Sequence, residues 1–327
     1  MKRFLQSVAI CLIVFSFTVT LSEAQVKPGW PKGVTIGTSG IGGVYFVWGG
    51  GFSKLLHDKM GVPGSVEVTA GPVTNLQLLE GKQLDFALAT AAPIYEGWHG
   101  LGWSKGKKYQ NSRVIFPMFT TYFHAYAIKK TGIKNTPDLN GKSVGIGAVG
   151  TTPAVYWPLV FEVLGIKPGR VVNAGWSDLN SQMRDGMLDS IATASGLPWG
   201  GITELEVSFD VNVFALTRAN AEKFIAKYPF FSPGMIPKGT YKANKDSEID
   251  TVTVWNFMVV HKDAPGDFIY EVVKKTFENV DILIAAHGSA KETKPEYIVH
   301  SPVPLHPGAV KYYKEKGIKI PDKLIAQ

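Results

Sequence analysis

The chain has 327 residues, a formal net charge of +7 and one cysteine, Cys11. A lone cysteine excludes an intramolecular disulfide, and its place in the N-terminal apolar segment leaves the rest of the chain without thiol chemistry. The lysines are mostly scattered singly, so the positive charge favours attraction of anionic solutes over a nucleic-acid site. The length is sufficient for two domains of ordinary size.

The first 24 residues have the pattern of a secretory signal peptide. Lys2 and Arg3 precede an apolar run over 8–19, and Ser22-Glu23-Ala24 is a small-x-small cleavage motif. This run is short for a membrane span, which needs roughly 20 apolar residues, although a signal anchor is the alternative. We therefore predict cleavage near Ala24 and export to the periplasm.

The first predicted elements alternate between strand and helix. Residues 34–37 form a strand that leads into the glycine-rich loop "GTSGIGGVYF" (37–46), and apolar residues at helical spacing predict a helix from Val44 to about Met60. A strand over 66–70, a short helix over 75–79 and a buried strand at the end of 81–90 follow. This order is typical of a parallel sheet covered by helices.

The middle of the chain repeats this order. "KSVGIGAVGTT" (142–152) predicts a strand, a glycine loop and the start of a helix that continues to Leu164. A strand over 171–174, a helix over 179–184 and a strand at the end of 185–194 follow. "DGMLDSIATA" (185–194) weakly echoes "EGKQLDFALA" (80–89), which indicates two lobes of similar local design.

Two apolar segments, 123–128 and 251–260, can cross between these lobes. Paired antiparallel, they would form a two-stranded hinge. We predict that lobe 1 comprises 25–122 plus 251–327 and that lobe 2 comprises 123–250. The tail after Asp263 is predicted to be mostly helical, with a break at "SPVPLHPG" (301–308).

The glycine loops do not carry a nucleotide-binding pattern. "GIGAVG" (145–150) formally matches G-x-G-x-x-G, but no acidic residue stands at a strand end about 20 residues later. In the first loop Tyr45 occupies the place of the third glycine. Neither loop has a lysine after its last glycine, so a P-loop is excluded, and we expect no cofactor.

Each glycine loop instead joins a strand to a helix N-terminus. Unpaired N–H groups and the positive end of the helix dipole bind an anion there without a cationic side chain. Gly40, Gly42 and Gly43 would allow a ligand to approach the backbone, and Ser39 and either Thr151 or Thr152 would add hydroxyl groups. The alternative is that both loops are merely tight turns.

The residue patterns give little support for catalysis. Ser39 has Gly37 before it but Ile41 after it, so G-x-S-x-G is absent, and the seven histidines have no metal-ligand spacing. We expect neither an enzyme nor a metal site. Several tryptophans lie near predicted loops, and one or two in a cleft would favour a ligand with an apolar or ring-bearing part.

Several long motifs occur in an order that resembles the TAXI-type solute receptors of TRAP transporters, a group of periplasmic substrate-binding proteins. The resemblance covers 34–317. It rests on "IGTSGIGGVYFVWGGGFSKLL", "TNLQLLEGKQLDFALA", "DLNGKSVGIGAVGTT", "SGLPW", "YPFFSPGMIPKGTY", "DTVTVWNFMVVHKDAP" and "PVPLHPGAVKYYKEKG".

The resemblance implies an α/β, two-lobed periplasmic-binding-protein-like (type II) fold, with a mostly parallel sheet in each lobe and the ligand between the lobes. Known ligands of the family include acidic amino acids and related organic acids. The residues implied to line the cleft are Ser39, Gly40, Ile41, Gly42, Gly43, Val44, Tyr45, Asn75, Thr90, Ala91, Gly150, Thr151, Thr152, Gly196, Leu197 and Pro198, with His124 and Trp199 at the cleft or hinge.

This chain departs from the family pattern at polar positions. Residues 90–93 read Thr-Ala-Ala-Pro where a Gln-Ser-Asp type stretch is usual, Thr121 replaces a carboxylate, and 147–151 read Gly-Ala-Val-Gly-Thr. A less polar site disfavours glutamate and favours an aromatic or aliphatic acid.

The resemblance therefore implies a monomeric binding protein that captures a small organic acid and delivers it to the membrane permease of a TRAP transporter. The ligand would shift the population towards a closed form. A periplasmic sensor protein that acts on a chemoreceptor or histidine kinase is the alternative, and a periplasmic enzyme is a third class.

Overall fold

The computed structural model describes residues 27–325, so the predicted signal peptide lies outside the described residues. The strands are β1 (Val34–Gly37), β2 (Gly64–Glu67), β3 (Phe86–Thr90), β4 (Ser112–Ile128), β5 (Ser143–Gly145), β6 (Arg170–Val172), β7 (Ser190–Ser195), β8 (Val211–Phe214), β9 (Ser232–Ile236) and β10 (Ile249–His261). The helices are α1 (Val44–Met60), α2 (Pro72–Glu80), α3 (Ala91–His99), α4 (Thr152–Leu164), α5 (Trp176–Arg184), α6 (Gly200–Leu205), α7 (Arg218–Lys227), α8 (Gly266–Glu278), α9 (Val280–Ala286) and α10 (Pro307–Glu315).

The strands form one mixed sheet in the order β2-β1-β3-β10-β4-β7-β5-β6, and β8 and β9 pair with β4 and β10. β1 is parallel to β2 and β3, and β5 is parallel to β6 and β7. We call β2-β1-β3 the first triplet and β7-β5-β6 the second triplet. Every antiparallel pair involves β4 or β10, so the predicted parallel character holds within the triplets only.

The two long strands, β4 and β10, join the triplets. They pair antiparallel with each other from Ser112↔His261 to Tyr122↔Thr253. Beyond Tyr122, β4 pairs with β7 and β8 instead. The predicted antiparallel pairing of two crossing strands is therefore confirmed, but the segment 123–128 was wrong as the partner of β10. That segment has already passed into the second triplet, because β4 is 17 residues long and changes partners part-way.

Local sequence accounts for β1 and α1, whose bounds agree with the prediction. The apolar face of α1 packs Trp48 and Phe52 against Phe86 and Phe116, with ring centroids 5.2–6.1 Å apart. Gly61 ends the helix in the left-handed region at φ 67°, and its N–H donates to carbonyls of the last turn. This packing holds the N-terminus of α1 at the end of β1.

Several other elements begin or end away from their predicted limits. β2 covers 64–67 instead of 66–70 because the chain leaves the sheet before Thr69, whose hydroxyl donates to the Thr38 carbonyl at 3.0 Å. α5 begins at Trp176 instead of Leu179, directly after Gly175. Within residues 27–325, the helices are all too short or too polar to span a bilayer.

Candidate ligand-binding site

A small cavity lies between the two triplets, next to the C-terminal ends of β1 and β7. Open α/β sheets bind ligands at this edge, outside the carboxyl ends of their strands. The cavity volume is about 40 Å³, which is room for about three water molecules. Its lining residues are Ser39, Gly43, Val44, Tyr45, Pro72, Phe119, Thr121, Thr151, Thr152, Pro153, Trp176, Ala194, Ser195, Gly196 and Trp199.

The first glycine loop brings the N-terminus of α1 to this cavity. Gly43 is the N-cap and donates its own N–H to the Gly40 carbonyl at 3.0 Å. The N–H groups of Val44 and Tyr45, the first two helical residues, have no intrahelical partner, as in any helix. A glycine at the N-cap has no side chain that could accept a hydrogen bond in place of a ligand. Because both residues line the cavity, α1 offers these donors and its dipole to a ligand.

Ser39 also contributes to this end of the cavity. Its side chain is 8% exposed, and its hydroxyl makes no hydrogen bond within residues 27–325. A Cβ atom on Gly43 would lie 2.6 Å from the Ser39 Oγ and 3.0 Å from the Gly40 carbonyl oxygen. Glycine at position 43 therefore keeps the serine hydroxyl beside the helix N-terminus.

The N-terminus of α4, after the second glycine loop, differs from that of α1. Thr151 caps this helix, because its Oγ1 accepts from the Ala154 N–H at 3.4 Å and donates to the Ala148 carbonyl at 2.7 Å. Pro153 has no N–H group. In the first turn of α4, only the N–H of Thr152 is therefore free to bind a ligand. α1 offers two such N–H groups, so α4 is the poorer anion site.

The second glycine loop also contacts the first triplet. A Cβ atom on Gly150 would lie 3.2 Å from the Ala70 carbonyl oxygen, and φ of Gly150 is +94°. Nearby, the Thr90 and Thr152 hydroxyls are 3.2 Å apart. Gly150 and Thr90 therefore belong to the contact between the two sides, and both lie, like Ala91, outside the cavity lining.

A second contact of this kind joins α3 to α4. The Tyr156 hydroxyl donates to Glu96 Oε2 at 2.9 Å, and both residues are buried. Burial raises the pKa of Glu96, while the hydrogen bonds from the Tyr156 hydroxyl and the backbone N–H of Trp103 oppose that effect. Burial likewise keeps the pKa of Tyr156 well above its ordinary value, so the tyrosine is a neutral donor.

Asn256 of β10 organises one wall of the cavity. A register shift between Trp255 and Phe257 interrupts the pairing of β10 with β4. At this bulge, Asn256 Nδ2 donates to the Phe119 carbonyl at 2.7 Å and to Thr121 Oγ1 at 2.8 Å. Asn256 Oδ1 accepts from the Tyr45 hydroxyl. Thr121 is an acceptor in this network, so its own O–H remains available to a ligand.

Aromatic rings form the rest of the wall. Phe119 packs edge-on against Tyr45 with centroids 6.1 Å apart, and Trp176 packs against Trp199 at 4.9 Å. None of the lining residues, all within the described part of the chain, has an ionisable acidic or basic side chain other than the Tyr45 phenol. Burial raises the pKa of Tyr45 well above its ordinary value, so it is neutral.

His124 lies behind this wall and not in it. The imidazole is fully buried, which lowers its pKa to about 4, so it is neutral near pH 7. Its Nδ1 is 2.9 Å from the Tyr122 carbonyl, and its Nε2 is 3.1 Å from the Tyr241 hydroxyl. The Tyr241 hydroxyl in turn accepts a hydrogen bond from the backbone N–H of Trp199 at 2.9 Å. His124 thus fixes the start of α6 relative to β4.

Asn75 is a structural tie in the first triplet. It is fully buried, and its Nδ2 donates to the carbonyls of Gly37, Thr38 and Leu88 at 2.8–3.1 Å. Its Oδ1 accepts from the Thr69 hydroxyl at 2.6 Å. All its polar atoms are engaged, so Asn75 holds the ends of β1 and β3 together and has no free group for a ligand.

The structure brings together part of the predicted set. Ser39, Gly43, Val44, Tyr45, Thr151, Thr152, Gly196 and Trp199 line the cavity, whereas Gly40, Ile41, Gly42, Leu197 and Pro198 lie beside it in the same loops. The sequence prediction missed Pro72, Phe119, Thr121, Pro153, Trp176, Ala194 and Ser195 as lining residues. Two of these residues could have been found from the sequence. Thr121 departs from the family pattern, and Trp176 is one of the tryptophans near predicted loops. In residues 27–325, no three His, Cys, Asp or Glu side chains cluster as metal ligands would.

Comparison with known proteins identifies the family. A model described as "NMT1-like family" matches residues 36–317. The chain belongs to the NMT1-like family. This match covers the first glycine loop, β4, β10 and most of the tail, so the NMT1-like region contains every residue that lines the cavity.

Solved structures with this fold include the periplasmic binding protein BugD, with a TM-score of 0.55 and 14% identity, over 89% of this chain and 100% of that chain. A substrate-binding protein of an ABC uptake transporter from Streptococcus pneumoniae, with bound histidine, has a TM-score of 0.52 and 13% identity, over 80% and 95%. These similarities confirm the predicted type II periplasmic-binding-protein fold for this NMT1-like chain.

Proposed function

We propose that this NMT1-like protein is an exported solute-binding protein that closes around a small organic acid. The uncapped N-terminus of α1, which faces the cavity between the two triplets, is the observation that carries the proposal. Two N–H groups, the helix dipole and the Ser39 hydroxyl together form a carboxylate site without a cationic side chain. Neighbours with this fold include a periplasmic binding protein and the substrate-binding protein of an ABC uptake transporter, which supports the same role.

The proposed lobes are 25–122 plus 251–327 and 123–250, with the hinge in β4 and β10. The change of partners at Tyr122 supports this division, because the backbone there belongs to both parts of the sheet. A ligand favours the closed form by its differential affinity for that form. The contacts Thr90–Thr152 and Glu96–Tyr156 would break when the lobes open.

The finer proposal is delivery to a TRAP permease. It rests on the resemblance of the motifs to TAXI-type receptors. The similar solved structures, in contrast, include the substrate-binding protein of an ABC uptake transporter and a putative L-cystine ABC transporter from Listeria monocytogenes. Uptake of the labelled ligand into vesicles that carry a candidate TRAP or ABC permease, with the protein added outside, separates these systems. Uptake only with the ABC permease would overturn the TRAP assignment.

Native mass spectrometry of the purified mature protein, followed by denaturation, is the direct test of the ligand. We expect one small organic acid per chain. Release of a cation or of a neutral sugar would contradict the proposal. The acid then serves as the probe for titration calorimetry on two glycine variants.

Gly43→Ala and Gly40→Ala form a matched pair. A Cβ at position 43 would displace the Ser39 hydroxyl, whereas a Cβ at position 40 has no atom within 4 Å outside its chain neighbours. We expect Gly43→Ala to weaken acid binding about tenfold or more, because a lost hydrogen bond to a charged group is worth about 1.5–3 kcal/mol. Gly40→Ala should bind within about twofold of wild type. Equal affinities for the two variants would show that this loop is only a tight turn.

A further inference from the structure

The cavity has one place for a negative charge. The N-terminus of α1 supplies the free N–H groups of Val44 and Tyr45, and the Ser39 hydroxyl lies beside them. α2, α4 and α5 also begin at the cavity, but none of them matches α1 as an anion site. α2 and α4 carry Pro72 and Pro153 in their first turns, Thr151 caps α4, and Asp178 places a carboxylate in the first turn of α5. A second carboxylate of the ligand would therefore be buried with few donors, which is costly.

The cavity also has no place for a positive charge. An ammonium group needs a carboxylate or several acceptors when it is buried. Glu292 is a nearby acid, but it accepts from the Thr120 N–H at 2.7 Å and from the Tyr122 hydroxyl at 3.2 Å. Residues 120 and 122 point to the opposite face of β4 from Thr121, so this carboxylate lies behind the cavity wall. The carboxylate of Glu96 is also engaged elsewhere, because it accepts a hydrogen bond from the Tyr156 hydroxyl in the contact between α3 and α4.

Apart from the free Thr152 N–H and the indole N–H groups of the two tryptophans, the remaining polar groups are hydroxyls. Ser195 is 7% exposed, and its hydroxyl makes no hydrogen bond within the described residues. Thr121 has a free O–H because Asn256 donates to its oxygen. These two groups are able to donate to one further oxygen atom of a ligand. The aromatic rings of Phe119, Trp176 and Trp199 would contact an apolar chain.

The size of the cavity limits the ligand further. Its volume of about 40 Å³ is well below the roughly 150 Å³ of a protein cavity that admits benzene. Butanoate has as many non-hydrogen atoms as benzene, so the walls would have to move apart for any acid of this size. An aromatic acid such as benzoate is larger still and would require the greater movement.

We propose that the ligand is a short aliphatic monocarboxylate without an ammonium group, with at most one further oxygen, such as a 2-oxo acid. This inference rests on the proposed function and specifies the substrate class of the same cavity. The carboxylate lies on the N-terminus of α1, and the uncharged body lies against Phe119 and the two tryptophans.

Titration calorimetry with a matched set of acids tests the inference. The set comprises butanoate, 2-oxobutanoate, 2-aminobutanoate, succinate and benzoate, so that charge, ammonium group and ring size vary one at a time. We expect butanoate or 2-oxobutanoate to bind at least tenfold more tightly than the other three. Equal or tighter binding of 2-aminobutanoate or succinate would overturn the inference.

Failure of the inference and failure of the proposed function give different results. If 2-aminobutanoate binds and Gly43→Ala weakens it, the function as an acid-binding protein stands and the monocarboxylate class is wrong. If the whole set fails to bind and native mass spectrometry releases a compound without a carboxylate, both are wrong.

Thr121→Asp gives a test by gain of binding. The aspartate would accept the hydrogen bond from Asn256 and place a negative charge at the wall. We expect this variant to gain at least tenfold affinity for 2-aminobutanoate relative to 2-oxobutanoate. Thr121→Val, which adds no charge, is the matched control and should not gain it. A melting temperature close to wild type shows that each variant is folded, and an unchanged preference in folded Thr121→Asp would contradict the inference.

Discussion

Asn256 is the residue whose replacement tests the architecture of the cavity wall most directly. Leucine has the same number of side-chain non-hydrogen atoms as asparagine and the same branching, so Asn256→Leu removes the amide without leaving a void. The Phe119 carbonyl at the bulge would lose its donor and incur a penalty of about 2 kcal/mol. The Tyr45 and Thr121 hydroxyls would lose about 0.5–1 kcal/mol each, since water in the cavity can replace the amide. We expect a loss of about 3–4 kcal/mol in the free energy of unfolding.

Urea unfolding, followed by the fluorescence of the eight tryptophans, measures this loss. Tyr45→Phe is the control, because it removes one hydrogen bond and leaves Phe119 and Thr121 with their donor. It should cost about 1 kcal/mol. If Asn256→Leu costs no more than Tyr45→Phe, the amide does not stabilise the bulge and the account of the wall is wrong.

The remaining predictions concern the contact between α3 and α4. Glu96 has a raised pKa because of burial, so its favourable contribution to stability is complete below its ordinary pKa of 4.5 and is lost as the pH rises through the raised value. The melting temperature of wild type should therefore fall relative to that of Glu96→Gln between about pH 4.5 and pH 7, and parallel curves would argue against a buried charge. Tyr156→Phe removes the hydrogen bond to Glu96. Under the proposed lobe division only the closed form makes this bond, so we expect the variant to weaken binding of the co-purified acid by about tenfold. An unchanged dissociation constant in calorimetry would mean that this contact persists in the open form.

Local elements were predictable because short-range chemistry decides them. The apolar spacing of Trp48, Phe52 and Leu55 determines α1, and Gly61 provides its end. Both glycine loops were found for the same reason, since a strand, two or three glycines and an apolar helix follow each other directly. The sequence also contains the reason why the N-terminus of α4 has fewer free N–H groups than that of α1. Thr151 is a capping residue and Pro153 has no N–H.

Long-range pairing was less predictable. β4 exchanges β10 for β7 at Tyr122, and periodicity within the strand does not say which neighbour lies beside each residue. The segment 123–128 was therefore paired with the wrong partner. The resemblance implied that Asn75 lines the cleft, but its three donor contacts to backbone carbonyls depend on where β1 and β3 meet.

The sequence by itself determined the fold class, the places of both glycine loops and the scarcity of charge near them, because each depends on neighbouring residues. Only the tertiary structure decided which residues share the cavity. Asn256 and Thr121 are 135 positions apart, and they meet because a bulge in β10 turns one amide towards β4. Burial then decided their chemistry, since the same groups in water would have no preferred partner.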